Sequence, residues 1–402
     1  MPAAEPSALA GLRVIDFSRF LPTAYAGWVA AEMGAEVIRV EHPRELAKAE
    51  AMFGRDADPQ AAARRRARPT YHRGKRSLRI NPGSAAGREV LHRLIASADV
   101  VIEDYRPGVM AAMGYGHEAM AALNPRLITL SVSFAGQTGP LADRAGHDPL
   151  ALALAGALAR LNGLPEPSLP GLQVADTLTG MSATIALLLA LQARERRGTG
   201  EQVDVAMSDA ALQLLLVSLG RHDDLDELPR PGTWHPKGGV WRCADGLYLC
   251  TTDMEPAYWA RFCAAIDRPD LAARQHEAAA HPAMEQEIAA IMATRTRDEW
   301  SARLAAAGTQ AMPVYSPAEA VAHPHHLARG MVREVQMPGP GVGPEQASVR
   351  QLSLPFVFGT TRAVAPSPAG APGADNAAIL DALGFDPADL AARGAFSTER
   401  EA

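Results

Sequence analysis

Several recognition signatures are missing from this chain of 402 residues. No GxGxxG follows the first strand-like segment and no GxxxxGK[ST] occurs anywhere, which sets aside the usual dinucleotide and nucleoside-triphosphate cradles. No GxSxG elbow is present, so the serine-hydrolase arrangement has no support. Cysteine is scarce. Cys243, Cys250 and Cys263 are odd in number and lack CxxC spacing, which argues against a disulfide framework or a thiolate zinc site and fits reduced thiols in a cytosol. There is no surplus of basic charge: 39 Lys and Arg stand against 45 Asp and Glu, a net charge of −6, and neither nucleic acid nor an anionic membrane is expected as a partner. The longest apolar run, "ATIALLLALQA" from Ala183, is too short to span a bilayer and reads as a buried helix. "MPAAEPSALAG" has no basic segment followed by an apolar one, so a cytoplasmic location is expected.

What is present is an alternation of strand and helix signals. "LRVIDF" from Leu12, "EVIRVE" from Glu36, "DVVIEDY" and "RLITLSVS" read as buried strands. "AYAGWVAAEMG" and "SAAGREVLHRLIASA" read as helices, the second with Ser84 as N-cap. Strands separated by helices imply a parallel, doubly wound, Rossmann-like sheet. The Arg-rich stretch before Ser84 reads as a loop, as does "ARRRARP" from Ala63, and the window from about Ser182 to His222 reads as helical around the turn "ERRGTGEQ". "GGVWRCADGLYLCTT" reads as a hairpin turning at Ala244-Asp245-Gly246. Helices dominate from Pro256 to about Ala322. Pro- and Gly-dense chain follows beyond Pro338 before a last helix at "NAAILDALGF".

Four groups of residues can carry chemistry. Arg39 and Arg106 fall at predicted strand ends, where open α/β sheets bind ligands. With Arg73, Lys75, Arg76 and Arg79 of "YHRGKRSLRI" they are either phosphate ligands or a solvated rim. His147, in "AGHDPLALALAG", is a neutral base at a helix start or a bystander beside a capping Asp148. Asp176 is an N-cap of a long apolar helix or a buried acid of raised pKa. Glu255, before Pro256, reads as a helix-start residue complementing the dipole. His323, His325 and His326 invite a metal reading, but the intervening proline and the lack of an acidic or cysteine partner favour a surface loop, and no metal site is expected.

In their order, "GLRVIDFSRFLPTAYAGWVAAEMGAEVIRVEHP", "HRGKRSLRI", "ADVVIEDYRPGVMAAMGYG", "NPRLITLSVSFAGQTGP", "AGHDPLALALAG", "VADTLTGMSATIALLLALQARERRGTGEQVDVAMSDA" and "ADGLYLCTTDMEPAYWARF" resemble the family III CoA-transferase superfamily. The Gly-His-Asp at His147 and the Glu255-Pro256 pair resemble its α-methylacyl-CoA racemase subfamily in particular. The resemblance implies an α/β fold. A Rossmann-like CoA-binding domain (1–215) is completed by a returning C-terminal segment (331–402), and a smaller α+β domain (216–330) is carried on long linkers. It also implies an interlocked homodimer with the active site shared between subunits, Glu255 arriving from the partner. Arg39, Arg73, Arg76 and Arg106 would hold the CoA moiety of an acyl-CoA substrate, with no cofactor beyond that CoA. The activity implied first is racemisation of 2-methylacyl-CoA thioesters. His147 and a protonated Asp176 would act as opposed acid and base through an enolate, with Glu255 orienting the imidazole. The alternative is CoA transfer through an acyl-aspartyl intermediate at Asp176. The short "WHPKGGVWRCADG" segment, with only Gly238-Gly239 remaining of a glycine-rich loop, bears on acyl-pocket size and on that alternative.

Overall fold

A computed structural model describes residues 7–53, 58–161, 166–221, 223–225, 237–336, 348–364 and 367–398. The chain divides into two units, one gathering the described parts of 1–162, 167–223 and 330–402, the other formed chiefly by 224–329.

The larger unit follows the order β1 (Arg13–Asp16), α1 (Leu21–Glu32), β2 (Glu36–Glu41), α2 (Pro43–Phe53), α3 (Pro59–Ala67), β3 (Arg76–Arg79), α4 (Ala85–Ala96), β4 (Val100–Glu103), α5 (Val109–Ala112), α6 (His117–Leu123), β5 (Ile128–Ser133), α7 (Asp148–Leu154), α8 (Val174–Arg197) and β6 (Gln202–Ala206). The strands pair in parallel in the order β3-β2-β1-β4-β5-β6, so the winding reverses between β1 and β4. The centre of the sheet is apolar on both faces: Val14, Ile15, Val100, Val101 and Ile102 are at most 1% exposed. Such a run suits a parallel sheet covered by helices on both sides. α1 and α8 cover one face, their alanines Ala26, Ala30, Ala183 and Ala190 allowing close approach. α8, at 24 residues, is long and apolar enough to cross a membrane by length and composition, but its inner face belongs to this core. Ser84 caps α4 as expected, its hydroxyl accepting the Gly87 N–H at 3.0 Å.

Two strands lie where the sequence reads otherwise. β3 sits inside the Arg-rich stretch taken as a loop, and β6 in the window taken as helical. Both are edge strands paired on one side only, so neither needs the unbroken apolar run that marks β1 or β4. The "ARRRARP" segment likewise enters helix α3 rather than a loop. The "PGPGVGP" stretch and His222 lie outside the described residues.

The C-terminal chain returns to the β3 side of the larger unit. Asp375 accepts the Ser77 N–H at 2.8 Å, Asn376 accepts the Arg79 N–H at 2.8 Å, and the Asn81 N–H reaches the Ala395 carbonyl at 2.7 Å. Ile379, Leu380, Leu390 and Ala395 join the same buried cluster as Leu78, Ile80 and Leu91. In the smaller unit, β7 (Gly238–Arg242) and β8 (Tyr248–Thr252) form the expected hairpin, turning at Gly246 with φ +80°, and β9 (Ala311–Pro313) extends the sheet. Trp259, Phe262, Met284 and Trp300 fill its separate core. Cys243, Cys250 and Cys263 are all free thiols.

Candidate active site

The reversal of winding places the ends of β1 and β4 side by side, and the residues leaving them diverge around a crevice. Asp104, just past β4, binds the two strand ends together. Its carboxylate accepts the N–H groups of Arg19 and Phe20 at 2.7 and 2.9 Å and the Arg19 Nε at 2.8 Å. The Arg19 guanidinium also stacks on the Tyr105 ring, 4.1 Å from its centroid. Beneath this junction Lys75 donates to Asp16 at 2.6 Å and to the Ala24 carbonyl at 2.9 Å, both side chains sealed from solvent. Gly27 gives that pair room, since a Cβ there would lie 2.7 Å from the Asp16 carboxylate.

A cleft of about 750 Å³ opens above the junction. Its wall includes Phe20, Pro22 and Thr23 after β1, Tyr105 and Arg106 after β4, Ser133 at the end of β5, and Arg144, His147, Leu150, Gln173, Asp176 and Met207. All belong to the larger unit.

His147 and Asp176 are brought together by the starts of two helices. His147 is the N-cap of α7 by backbone geometry, with no side-chain capping bond, and its exposed ring meets Phe20 edge-on at 5.6 Å. Asp148, the residue after it, is 5% exposed and accepts the backbone N–H of Asp176 at 3.0 Å. The capping role considered for Asp148 is therefore exercised on α8, not on its own helix. Asp176 lies in the first turn of α8 rather than at its N-cap, which is Gln173, and makes no capping bond of its own. Burial and the neighbouring Asp148 charge push the Asp176 carboxyl up to about 6, against a smaller opposing influence from His147. Tyr71, which also lines the cleft, is held above the usual phenol range by burial, with Arg39 and Asp176 as its charged neighbours.

The four arginines expected to hold CoA part company. Arg106 is exposed on the cleft wall just past the end of β4 and makes no ion pair among the described residues. Arg39 lies within β2, half-buried and paired with Glu41 at 3.2 Å; its charge acts on Tyr71, but it is not among the residues lining the cleft. Arg73 is a correction. It is 1% exposed and pairs with Glu32 of α1, donates to Gln351 at 2.9 Å and reaches the Leu352 carbonyl at 3.0 Å, so its guanidinium fastens the returning chain and cannot face a ligand. Arg76 is a second correction: it starts β3 and pairs with Glu36 at the start of β2, the amino end of the sheet, opposite the cleft. Glu255 is the exposed N-cap of the helix Pro256–Ala265 in the smaller unit. His323 is an N-cap whose ring accepts the His325 N–H at 3.2 Å, and no cluster able to hold a metal occurs among the described residues.

The sequence reading missed the Arg19–Asp104 clasp, Tyr71 and Arg144. Residues 19 and 104 each follow a strand, and a strand order deduced in advance would have set them side by side.

Residues 9–376 match the model of CoA-transferase family III. The chain belongs to that family. It is 30% identical to an acyl-CoA transferase of Fusarium pseudograminearum, over 97% of this chain and 88% of that one. It is 30% identical to the "probable fatty acyl-CoA transferase" Rv3272 of Mycobacterium tuberculosis, over 94% and 99%. A succinyl-CoA–D-citramalate CoA-transferase of Chloroflexus aurantiacus is 30% identical over 87% of this chain and 88% of its own. Among solved structures, Rv3272 superposes with a TM-score of 0.75 at 29% identity, over 93% and 99% of the two chains. A CaiB/BaiF family protein of Brucella suis superposes at 0.78 and 28% identity, over 94% and 100%. The protein is thus an enzyme of the family III CoA-transferase type. The names of these relatives favour the transfer alternative over the racemase reading placed first from the sequence.

Proposed function

We propose that the protein moves CoA from an acyl-CoA thioester to a free carboxylic acid, with Asp176 as the covalent nucleophile. The observation that carries this is the state of Asp176 in the cleft: a partly buried carboxylate of pKa about 6 is ionised at neutral pH yet more basic than an exposed one. In the first step an Asp176 oxygen attacks the thioester carbonyl, the C–S bond breaks, and an acyl-aspartyl anhydride and CoA thiolate result. The thiolate then attacks the aspartyl carbonyl, releasing the donor acid and leaving CoA on Asp176 as a thioester. The acceptor carboxylate reverses both steps. One thioester and one carboxylate enter and one of each leaves, so no cofactor beyond CoA is called for.

Arg106 and Arg144, exposed on the cleft wall without ion pairs among the described residues, are suited to the CoA phosphates. We further propose a homodimer with Glu255 supplied by the partner. Ile185 and Leu189 of α8 are 60% and 65% exposed, and Leu216 and Val217 68% and 60%, an apolar surface of the kind that a second copy covers.

The test is incubation with an acyl-CoA and a second carboxylic acid. Transfer of CoA, with an acyl or CoA adduct trapped on Asp176 by mass spectrometry, supports the reading; absence of transfer with every acid overturns it. Racemisation is the second reading, favoured by His147 beside Asp176. It requires one of the pair to start protonated and the other to start as the base. Deuterium gain at Cα of a single-epimer 2-methylacyl-CoA in deuterated water, with no acceptor present, would establish it instead.

A further inference from the structure

The cleft distributes charge unevenly, and this bears on which acids react. The cleft that holds Asp176 carries apolar side chains among its lining: Phe20 and Leu150 are 49% and 53% exposed, with Pro22, Phe134 and Met207 beside polar Thr23, Ser133 and Gln173. The ionisable groups that bear on Asp176 are Asp148, a second acid bonded to its backbone N–H, and His147. Of the cations in and under the cleft, Arg106 and Arg144 make no ion pair among the described residues and are assigned above to the CoA phosphates, and the others are engaged within the protein. Lys75 is sealed against Asp16, and Arg19 is locked to Asp104 through its Nε and to the Asp104 carbonyl at 2.6 Å. With Arg106 and Arg144 on the CoA phosphates, a second carboxylate on the acyl chain would enter a neighbourhood holding two acids, and would lose its water without a partner. An alkyl or aryl chain would instead cover Phe20 and Leu150, which the larger unit leaves exposed.

Resting on the transfer reading, we infer that the acids exchanged are monocarboxylic, with apolar chains, and that dicarboxylic acids such as succinate are poor partners.

The experiment gives the full-length protein one acyl-CoA donor and, in parallel, hexanoate, isobutyrate, phenylacetate and succinate as acceptors, with kcat/KM measured for each. At least one monocarboxylic acid is expected to exceed succinate by ten-fold or more, and Leu150→Ser is expected to narrow that ratio by raising KM for the apolar acid more than for succinate. Succinate equal to or better than all three overturns the inference. If Arg144→Ala then abolishes succinate use alone, Arg144 reads the distal carboxylate. Failure of the transfer reading looks different: no acid accepts CoA and Asp176 carries no adduct.

Discussion

The carboxylate of Asp148 accepts the backbone N–H of Asp176 at 3.0 Å, so the residue that follows His147 is fastened to the helix that carries Asp176. The same bond brings a second negative charge against Asp176.

Asp148→Asn keeps an acceptor for that N–H and removes the charge. The Asp176 carboxyl should then titrate lower, and the acid limb of the kcat/KM profile should move to lower pH. Asp148→Ala should show the same shift and also lose about 1–2 kcal/mol of stability, because a helix-start N–H is left unpaired. Paired pH–rate profiles and thermal melts measure the two effects separately.

Covalent transfer needs Asp176 ionised, so kcat/KM should fall about ten-fold per pH unit below pH 6. The stability effect runs the opposite way. Folding raises this carboxyl above its unfolded value, so the folded state favours the proton; the group costs stability above pH 6, and the cost vanishes as pH falls toward the ordinary carboxylate range. Asp176→Asn should therefore be inactive in transfer while melting no lower than the parent at pH 7. A clear loss of melting temperature in that variant would contradict the account of a strained acid.

Arg73 and Arg106 should separate cleanly. Arg73→Ala leaves Glu32 buried without its cation and should cost about 3–5 kcal/mol, with faster proteolysis of the returning C-terminal chain. Arg106→Ala should leave the melting temperature within about 1 °C and raise KM for acyl-CoA several-fold, since it removes an exposed phosphate partner and no packing.

Lys75→Ala strands the Asp16 carboxylate in the core beneath the cleft. A loss of about 3–5 kcal/mol is expected, read from the denaturation midpoint.

The inner strands were legible in the sequence because they are buried on both faces and spell it in β-branched residues, as in "VVIE" of β4. The edge strands β3 and β6 were not, because one side of each lacks a strand neighbour and its residues alternate or carry charge. His147 and Asp176 could be picked out one at a time, but not the bond that relates them, which runs through an aspartate that sequence spacing assigned to its own helix. The arginines show the same limit. The rule for strand ends puts Arg106 on the cleft wall, where it lies, whereas the partners of Arg73 lie 41 and 278 residues away and leave no local trace.

The closing of the β3 side of the sheet by Ile379, Leu380, Leu390 and Ala395 sets the order of events during synthesis. The first six strands can leave the ribosome, and the smaller unit after them, while one flank of the sheet core still lacks its cover. A chain stopped short of its last thirty or so residues keeps every group of the cleft and lacks the packing that holds β3, so a premature stop there would abolish the enzyme without removing a single catalytic residue.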